Sequence, residues 1–261
     1  MIPALFVFEL KSLLRRLLGL LVFALVMGLL GVWLYQPEMQ AQLRLFSEEL
    51  PLLTRLLGYG GSANLPVHLM GLQSGFLLPV IFILSAHALS LRLIARPLGD
   101  GRMAQRLAAP HRRAAVLMTL FWLLALEALL ICLAVLMGQA AGVFIFLGGQ
   151  ADFSALIRLA LGLMLSALPV AGGMTWVAAA SPGPASARRL GGFLGLLFVG
   201  FMMASRLTGW PRWLGYLTPF SLFKGQELIT RPGALMLCAL GLPLGLLLAG
   251  LGAWAFSRRD V

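Results

Sequence analysis

The sequence predicts an all-α integral membrane protein: a single transmembrane domain over residues 1–261, built as a six-transmembrane-helix bundle. Three observations predict it. The composition is 60% hydrophobic and only 11% charged, where a soluble domain is about half apolar and about a quarter charged. The mean hydropathy is +0.94, so lipid must solvate most of the chain. The apolar residues also fall into runs of spanning length. A bilayer core of about 30 Å needs roughly 20 residues of helix, and stretches at about 17–35, 65–91, 114–137, 154–180, 191–207 and 234–256 meet that. Helix is the expected form because an open chain in hydrocarbon has no other way to satisfy its backbone.

Before the first span, Leu5, Phe6, Leu10, Leu13, Leu14 and Leu17 are set against Glu9, Lys11, Arg15 and Arg16. This predicts an amphipathic helix over Met1–Arg16, lying in the membrane interface. The first apolar run is long and has no small-residue cleavage site, so no cleavable signal is expected. Between the first two spans, Met39, Leu43, Phe46, Leu50, Leu53 and Leu57 recur at steps of four and three. They form one helical stripe, kinked at Pro51 and ended by Gly58. Pro79, Pro169 and Pro243 fall inside spans, where neighbouring helices can cover the freed carbonyls. Before the last span, Trp210, Trp213 and Tyr216 sit at aromatic-belt height. Pro219 and a short amphipathic stretch to Ile229 follow them, predicting short re-entrant or interfacial helices over 207–233.

Basic residues give the bundle a direction. Thirteen of the twenty fall at the two termini, in 92–113 and in 181–190, and seven on the other side. The positive-inside rule then places both termini and the 92–113 and 181–190 loops in the cytoplasm. The net charge of +11 is explained by this topology, and no nucleic-acid partner is expected, because the cations lie between apolar runs and form no aromatic-interleaved patch.

Catalytic chemistry is sparse, and no catalytic or metal-ligating set is predicted. Cys132 and Cys238 lie inside apolar runs with no metal or disulfide spacing. His68 and His87 stand roughly 28 Å apart along one helix at 1.5 Å per residue, and with Glu127 and Arg158 they form no recognisable catalytic spacing. Glu127, in the middle of FWLLALEALLICLA, is the residue to watch. A carboxyl at that depth costs about 2.5–3.5 kcal/mol and faces a bundle interior or a wet path, so it marks either a translocation or gating path or a structural hydrogen bond. Gly191/Gly195 and Gly241/Gly245 allow close helix approach, and Gly172-Gly173 beyond Pro169 suggests a flexible or broken helix. Leu147-Gly148-Gly149-Gln150 matches an ATPase signature only by coincidence, since the chain has no Gly-x-x-x-x-Gly-Lys-Ser/Thr phosphate loop.

The stretch DGRMAQRLAAPHRRAAVL (100–117) resembles a segment of ABC-2-type transporter permeases. Many of these carry, after the second span, an acidic residue, Gly-Thr/Ser-Leu/Met, an apolar run and Pro-x-Ser-Arg. Asp100, Gly101, Met103, Leu107, Pro110, Arg112 and Arg113 carry the match, while Arg102, Arg106 and His111-Arg112 depart from the pattern. FELKSLLRRLLGL (8–20) resembles the family's interfacial elbow helix, and WAFSRRDV (254–261) resembles its usual ending. The three motifs occur in register along the whole chain.

The resemblance implies a multi-pass permease of the bacterial cytoplasmic (inner) membrane, the non-catalytic subunit of an exporter. Its partners would be a separate ABC ATP-binding subunit, which carries ATP and Mg, and a second permease copy or paralogue. Gly101–Arg113 would be the cytoplasmic coupling helix. Met103 and Leu107, at i and i+4, would form its apolar face, Pro110 would end it, and Arg102, Arg106, Arg112 and Arg113 would meet the ATPase or anionic lipid. A lipid-modifying membrane enzyme or a secondary transporter using Glu127 is the alternative reading.

Overall fold

The computed structural model describes residues 2–57, 64–107, 112–207 and 210–258. Its architecture is all-α, with no strand among the described residues. Five helices are long and apolar enough to cross a bilayer, and six if the two pieces of the first helix count as one span.

Helix α1 (Pro3–Trp33) starts on a proline, whose missing N–H costs nothing in the first turn. It consists of Pro3–Leu14 and Leu17–Trp33, set at 63° to each other. The first piece is amphipathic in a different sense from the expectation. Leu13 and Leu17 are buried, but so is Glu9, at 5% exposure, while Phe8 is 69% exposed. Positions 5, 9 and 13 are successive i, i+4 steps, so Glu9 lies on the same stripe as Leu5 and Leu13.

Helices α2 (Pro37–Glu49) and α3 (Pro51–Leu57) realise the stripe between the first two long helices. They part at Leu50 (φ −125°, ψ 59°) because Pro51 excludes the helical conformation from the residue before it. Phe46, Leu50 and Leu53 remain exposed. Gly58, expected to end the stripe, lies outside the described residues.

Helix α4 (Leu65–Gly99) is capped by Asn64, whose Oδ1 accepts from the Val67 N–H at 3.0 Å. It widens into π-helical turns at Met70–Leu77 and Leu91–Ala95. Each wide stretch ends two residues before a proline, Pro79 and Pro97. A proline ring clashes with the carbonyl four residues back and offers it no N–H, and a widened turn relieves the clash without breaking the helix. The helix therefore runs past Arg92 and Arg96, which stand on α4 and not in the 92–113 loop assigned from hydropathy.

The short helix α5 (Arg102–Leu107) leads to α6 (Arg113–Phe146), α7 (Phe153–Ala180) and α8 (Pro184–Ala204). Asp152 caps α7, accepting from Ser154 Oγ at 2.6 Å and from the Ala155 N–H at 3.1 Å. These hydrogen bonds, with the positive Arg158 a turn on as a smaller contribution, hold its carboxyl below the usual carboxylate range. Because α8 begins at Pro184, Arg188 and Arg189 are helical residues, not members of a 181–190 loop. Two 3₁₀ turns (Arg212–Leu217 and Pro219–Leu222), α9 (Gly225–Thr230) and α10 (Pro232–Ser257) complete the chain.

Helices α1 and α6 run side by side and parallel. The Ile2 N–H donates to Thr119 Oγ1 at 2.9 Å near one end, and Gly28 meets Gly138 further along. A Cβ on Gly138 would strike the Leu25 carbonyl, so the absence of a side chain sets this close approach. Helices α7 and α10 are parallel in the same way, with Gly172 against Gly245 and Gly241 against the Leu165 carbonyl, the one Pro169 leaves without its N–H. The main core lies among these helices and α4, around Phe121, Leu124, Ile131 and Phe256. Gly191 and Gly195 seat α8 on His87 and Ile83 of α4. Only 22% of the apolar window of α8 and of α10 is buried, against half or more for α4, α6 and α7. Phe193 and Leu196 on α8, and Leu247 and Trp254 on α10, face outward.

Candidate functional site

The described residues among those singled out in 100–113 lie at the junction between α4 and α6, on the bundle face that carries the N-terminus. Asp100 closes α4, its N–H donating to the Arg96 carbonyl at 2.9 Å. Gly101 then turns the chain with φ +73°, a left-handed conformation that only glycine takes freely. Asp100 and Arg102 pair across the turn at 2.6 Å, both largely exposed.

Met103 corrects the expected docking face. It is 0% exposed and part of the main core, so it ties α5 to the bundle and presents nothing outward. An apolar side chain beside an open core gains more by entering it than by facing water. Among the described side chains here, Arg102, Ala104 and Arg112 are exposed and Arg113 is half-buried. Pro110 and the side chains of Arg106 and Leu107 lie outside the described residues.

A cleft of about 380 Å³ adjoins the junction, lined by Phe8, Glu9 and Ser12 of α1, Arg92, Leu93, Arg96 and Pro97 of α4, and Arg102. Arg92 donates to Ser12 Oγ at 2.8 Å across it. The inward turn of Glu9 is thereby explained, because it enters a cleft walled by three arginines.

Glu127 stands fourteen residues along α6 from Arg113, about 21 Å of helix. It is 4% exposed. The structure does not bring His68, His87 or Arg158 to it. His68 Nε2 lies 3.2 Å from the Gly31 carbonyl, His87 abuts Gly191, and Arg158 holds α9 by donating to the Leu228 and Ile229 carbonyls at 2.8 and 3.0 Å. Those carbonyls belong to the last turn of α9, where helical partners run out and a cation is favourable. Among the described residues no group of three His, Cys, Asp or Glu side chains is placed to hold a metal.

Two polar assemblies escape sequence reasoning. The first crosses three helices inside the bundle. Gln139 Nε2 of α6 donates to Gln73 Oε1 of α4 at 2.7 Å, and Gln73 Nε2 donates to the Met27 carbonyl of α1 at 2.6 Å. The amides in otherwise apolar runs were its only signal. The second is a cavity of about 710 Å³ on the face opposite the N-terminus, between the π-helical part of α4, the end of α8, α3 and the 3₁₀ turns. Arg206 forms its inner wall, donating to the Leu56 carbonyl at 2.9 Å and to the Gly75 carbonyl at 2.6 Å. Gly75 is four residues before Pro79, so Arg206 supplies the donor that the proline lacks.

No family model matches the chain, and no curated protein matches it significantly.

Proposed function

We propose that the chain is the permease subunit of an ATP-driven exporter of the ABC-2 type, forming the translocation path and coupling it to a separate ATPase subunit. The observation that carries the reading is the junction between α4 and α6. A short helix hangs from a turn that requires Gly101 and roots in the main core through Met103, and the junction exposes basic side chains at Arg102 on this helix and at Arg112, which leads into α6. Such a helix works as a lever. A push on its outer surface reaches α4 and α6 through packed side chains, and packed cores respond by shifting between discrete arrangements.

In this reading ATP and Mg bind on the partner, whose closure supplies the push. Leu17–Trp33 is the first of six spans, and Pro3–Leu14 is the interfacial elbow. Both termini and α5 face the cytoplasm of a bacterial cell, across its inner membrane. The thirteen-to-seven partition of basic residues supports that orientation. The outward apolar faces of α8 and α10 suit lipid and a second permease copy or paralogue. Glu127, buried on α6, is the residue assigned to the path or its gating. An enzyme or an ion-coupled transporter would need polar groups converging on Glu127, and the neighbouring ionisable residues are engaged elsewhere.

Co-expression with an ATPase encoded beside this chain tests the proposal. A stable complex with ATP turnover that depends on the membrane subunit is expected. Failure of the folded chain to retain any such ATPase would overturn it.

A further inference from the structure

We propose that the 710 Å³ cavity beside Arg206 is a binding site for an amphiphile with a phosphate-type anionic head group. Its walls are of two kinds. Arg55, Arg206, Arg212 and Lys224 line it with one carboxylate, Glu227, and that carboxylate is taken by Lys224 at 3.3 Å. None of the three arginines has a carboxylate partner among the described residues.

Arg206 spends two of its five N–H donors on neutral carbonyls, so its position is fixed while its charge is left without a counter-ion. A half-buried guanidinium held in this way is a preorganised anion site, and its planar fork matches phosphate oxygens. Met70, Pro79, Met202, Phe220 and Phe223 give the remaining wall an apolar part, beside the polar Ser74, Ser205, Thr218, Ser221 and Gln226. That combination fits a charged head attached to a hydrocarbon body better than a small soluble anion. The depth agrees. Trp210, Trp213 and Tyr216, exposed at 56, 57 and 76%, project from the adjoining segment, and such residues settle at the level of lipid head groups. The inference rests on the cavity alone and stands whether or not an ATPase partner exists.

The test uses the full chain purified in a neutral detergent and offered phosphatidylglycerol, phosphatidylcholine or inorganic phosphate, with retained ligand read by native mass spectrometry. The wild-type chain is expected to retain phosphatidylglycerol in preference to phosphatidylcholine, and inorganic phosphate should not displace it. Arg55→Gln with Arg212→Gln, which removes two exposed charges and leaves the Arg206 bonds alone, should lower retention at least about tenfold. Arg231→Gln, which removes one exposed charge outside the cavity, should leave it unaltered. Equal retention of the two lipids, or an undiminished signal from the double variant, overturns the proposal. Inorganic phosphate binding as tightly as the lipid overturns the amphiphile assignment in favour of a soluble anion.

Discussion

Gln139 of α6 donates to Gln73 of α4 at 2.7 Å, and Gln73 passes its own amide N–H to the Met27 carbonyl of α1. Three helices are joined by two side chains, and Gly31 makes room for them, since a Cβ there would collide with the Gln73 amide. In lipid the helices gain little by hiding apolar surface from one another, so such bonds and close packing must set register.

Replacing Gln73 should therefore cost more than replacing Gln139, because Gln73 serves two partners. Gln73→Leu is expected to lower stability by about 1–2 kcal/mol and Gln139→Leu by less. Thermal unfolding in detergent of both single variants and the double variant measures this, and the coupling energy should be positive. Strict additivity would show that the bond contributes nothing.

The close approach of α1 and α6 predicts a sharp contrast between glycines. Gly138→Ala places a methyl against the backbone of Leu25, whereas Gly19 has nothing within 4 Å of an added Cβ. Gly138→Ala should destabilise by about 1–3 kcal/mol, the usual cost of overpacking. Gly19→Ala should be neutral or slightly stabilising, since alanine is the better helix former. The same unfolding assay separates them.

Arg206 is predicted to act structurally as well as electrostatically. Arg206→Gln leaves the Gly75 and Leu56 carbonyls short of a donor, at about 1–3 kcal/mol for an unsatisfied buried group. Pro79→Ala restores an N–H within reach of Gly75. The penalty of Arg206→Gln should accordingly shrink in a Pro79→Ala background, and an unchanged penalty would show that the carbonyl at Gly75 is not what Arg206 serves.

Asp152 gives a pH dependence with a definite sign. Its carboxyl is held below the usual range by Ser154 and the Ala155 N–H, so the ionised form stabilises the fold. That contribution is complete above the ordinary carboxylate pKa and is lost as pH falls through the lower folded value. Amide protection in the first turn of α7, taken as the intrinsic exchange rate relative to the observed rate at each pH, should thus fall below about pH 4. Asp152→Asn, which still caps the turn, should abolish this dependence, while Asp152→Ala should cost about 1 kcal/mol at neutral pH. Protection that stays constant across this pH range in the parent chain would contradict the assignment.

The long helices were legible because an apolar run leaves the backbone no alternative in lipid. Their ends were not. A hydropathy window stops at Arg92, whereas α4 runs on to Gly99, because a charged side chain ends an apolar run without ending a helix. Glu9 was assigned to a polar outer face on its charge alone, and only the arginines of α4 beside it explain the inward turn. The cavity was illegible for a topological reason: Arg55, Arg206, Arg212 and Lys224 come from separate segments with no spacing to connect them. Met103 was legible as half of an i, i+4 apolar pair, but whether that pair faces a partner or the chain's own core is decided by tertiary packing.

The burial of Met103 changes how the junction must be probed. Met103→Asp buries a charge in the main core and should destabilise the whole bundle, beyond about 3 kcal/mol, so lost function in that variant says nothing about a partner. Arg102→Glu combined with Arg112→Glu alters only exposed side chains. It should leave the unfolding temperature nearly unchanged while lowering ATPase retention.

The most direct measurement places a cysteine at Ala104, the exposed position of α5 next to buried Met103. The native thiols, Cys132 and Cys238, are both buried and leave the background clear. With the partner ATPase co-expressed in the native membrane, an Ala104→Cys chain bearing a thiol-reactive cross-linker should join covalently to that subunit, with a yield that changes when ATP is added. A cysteine at Gly233, on the opposite face, should not. Absence of any Ala104 adduct while the two chains still co-purify would contradict α5 as the point where the push is received.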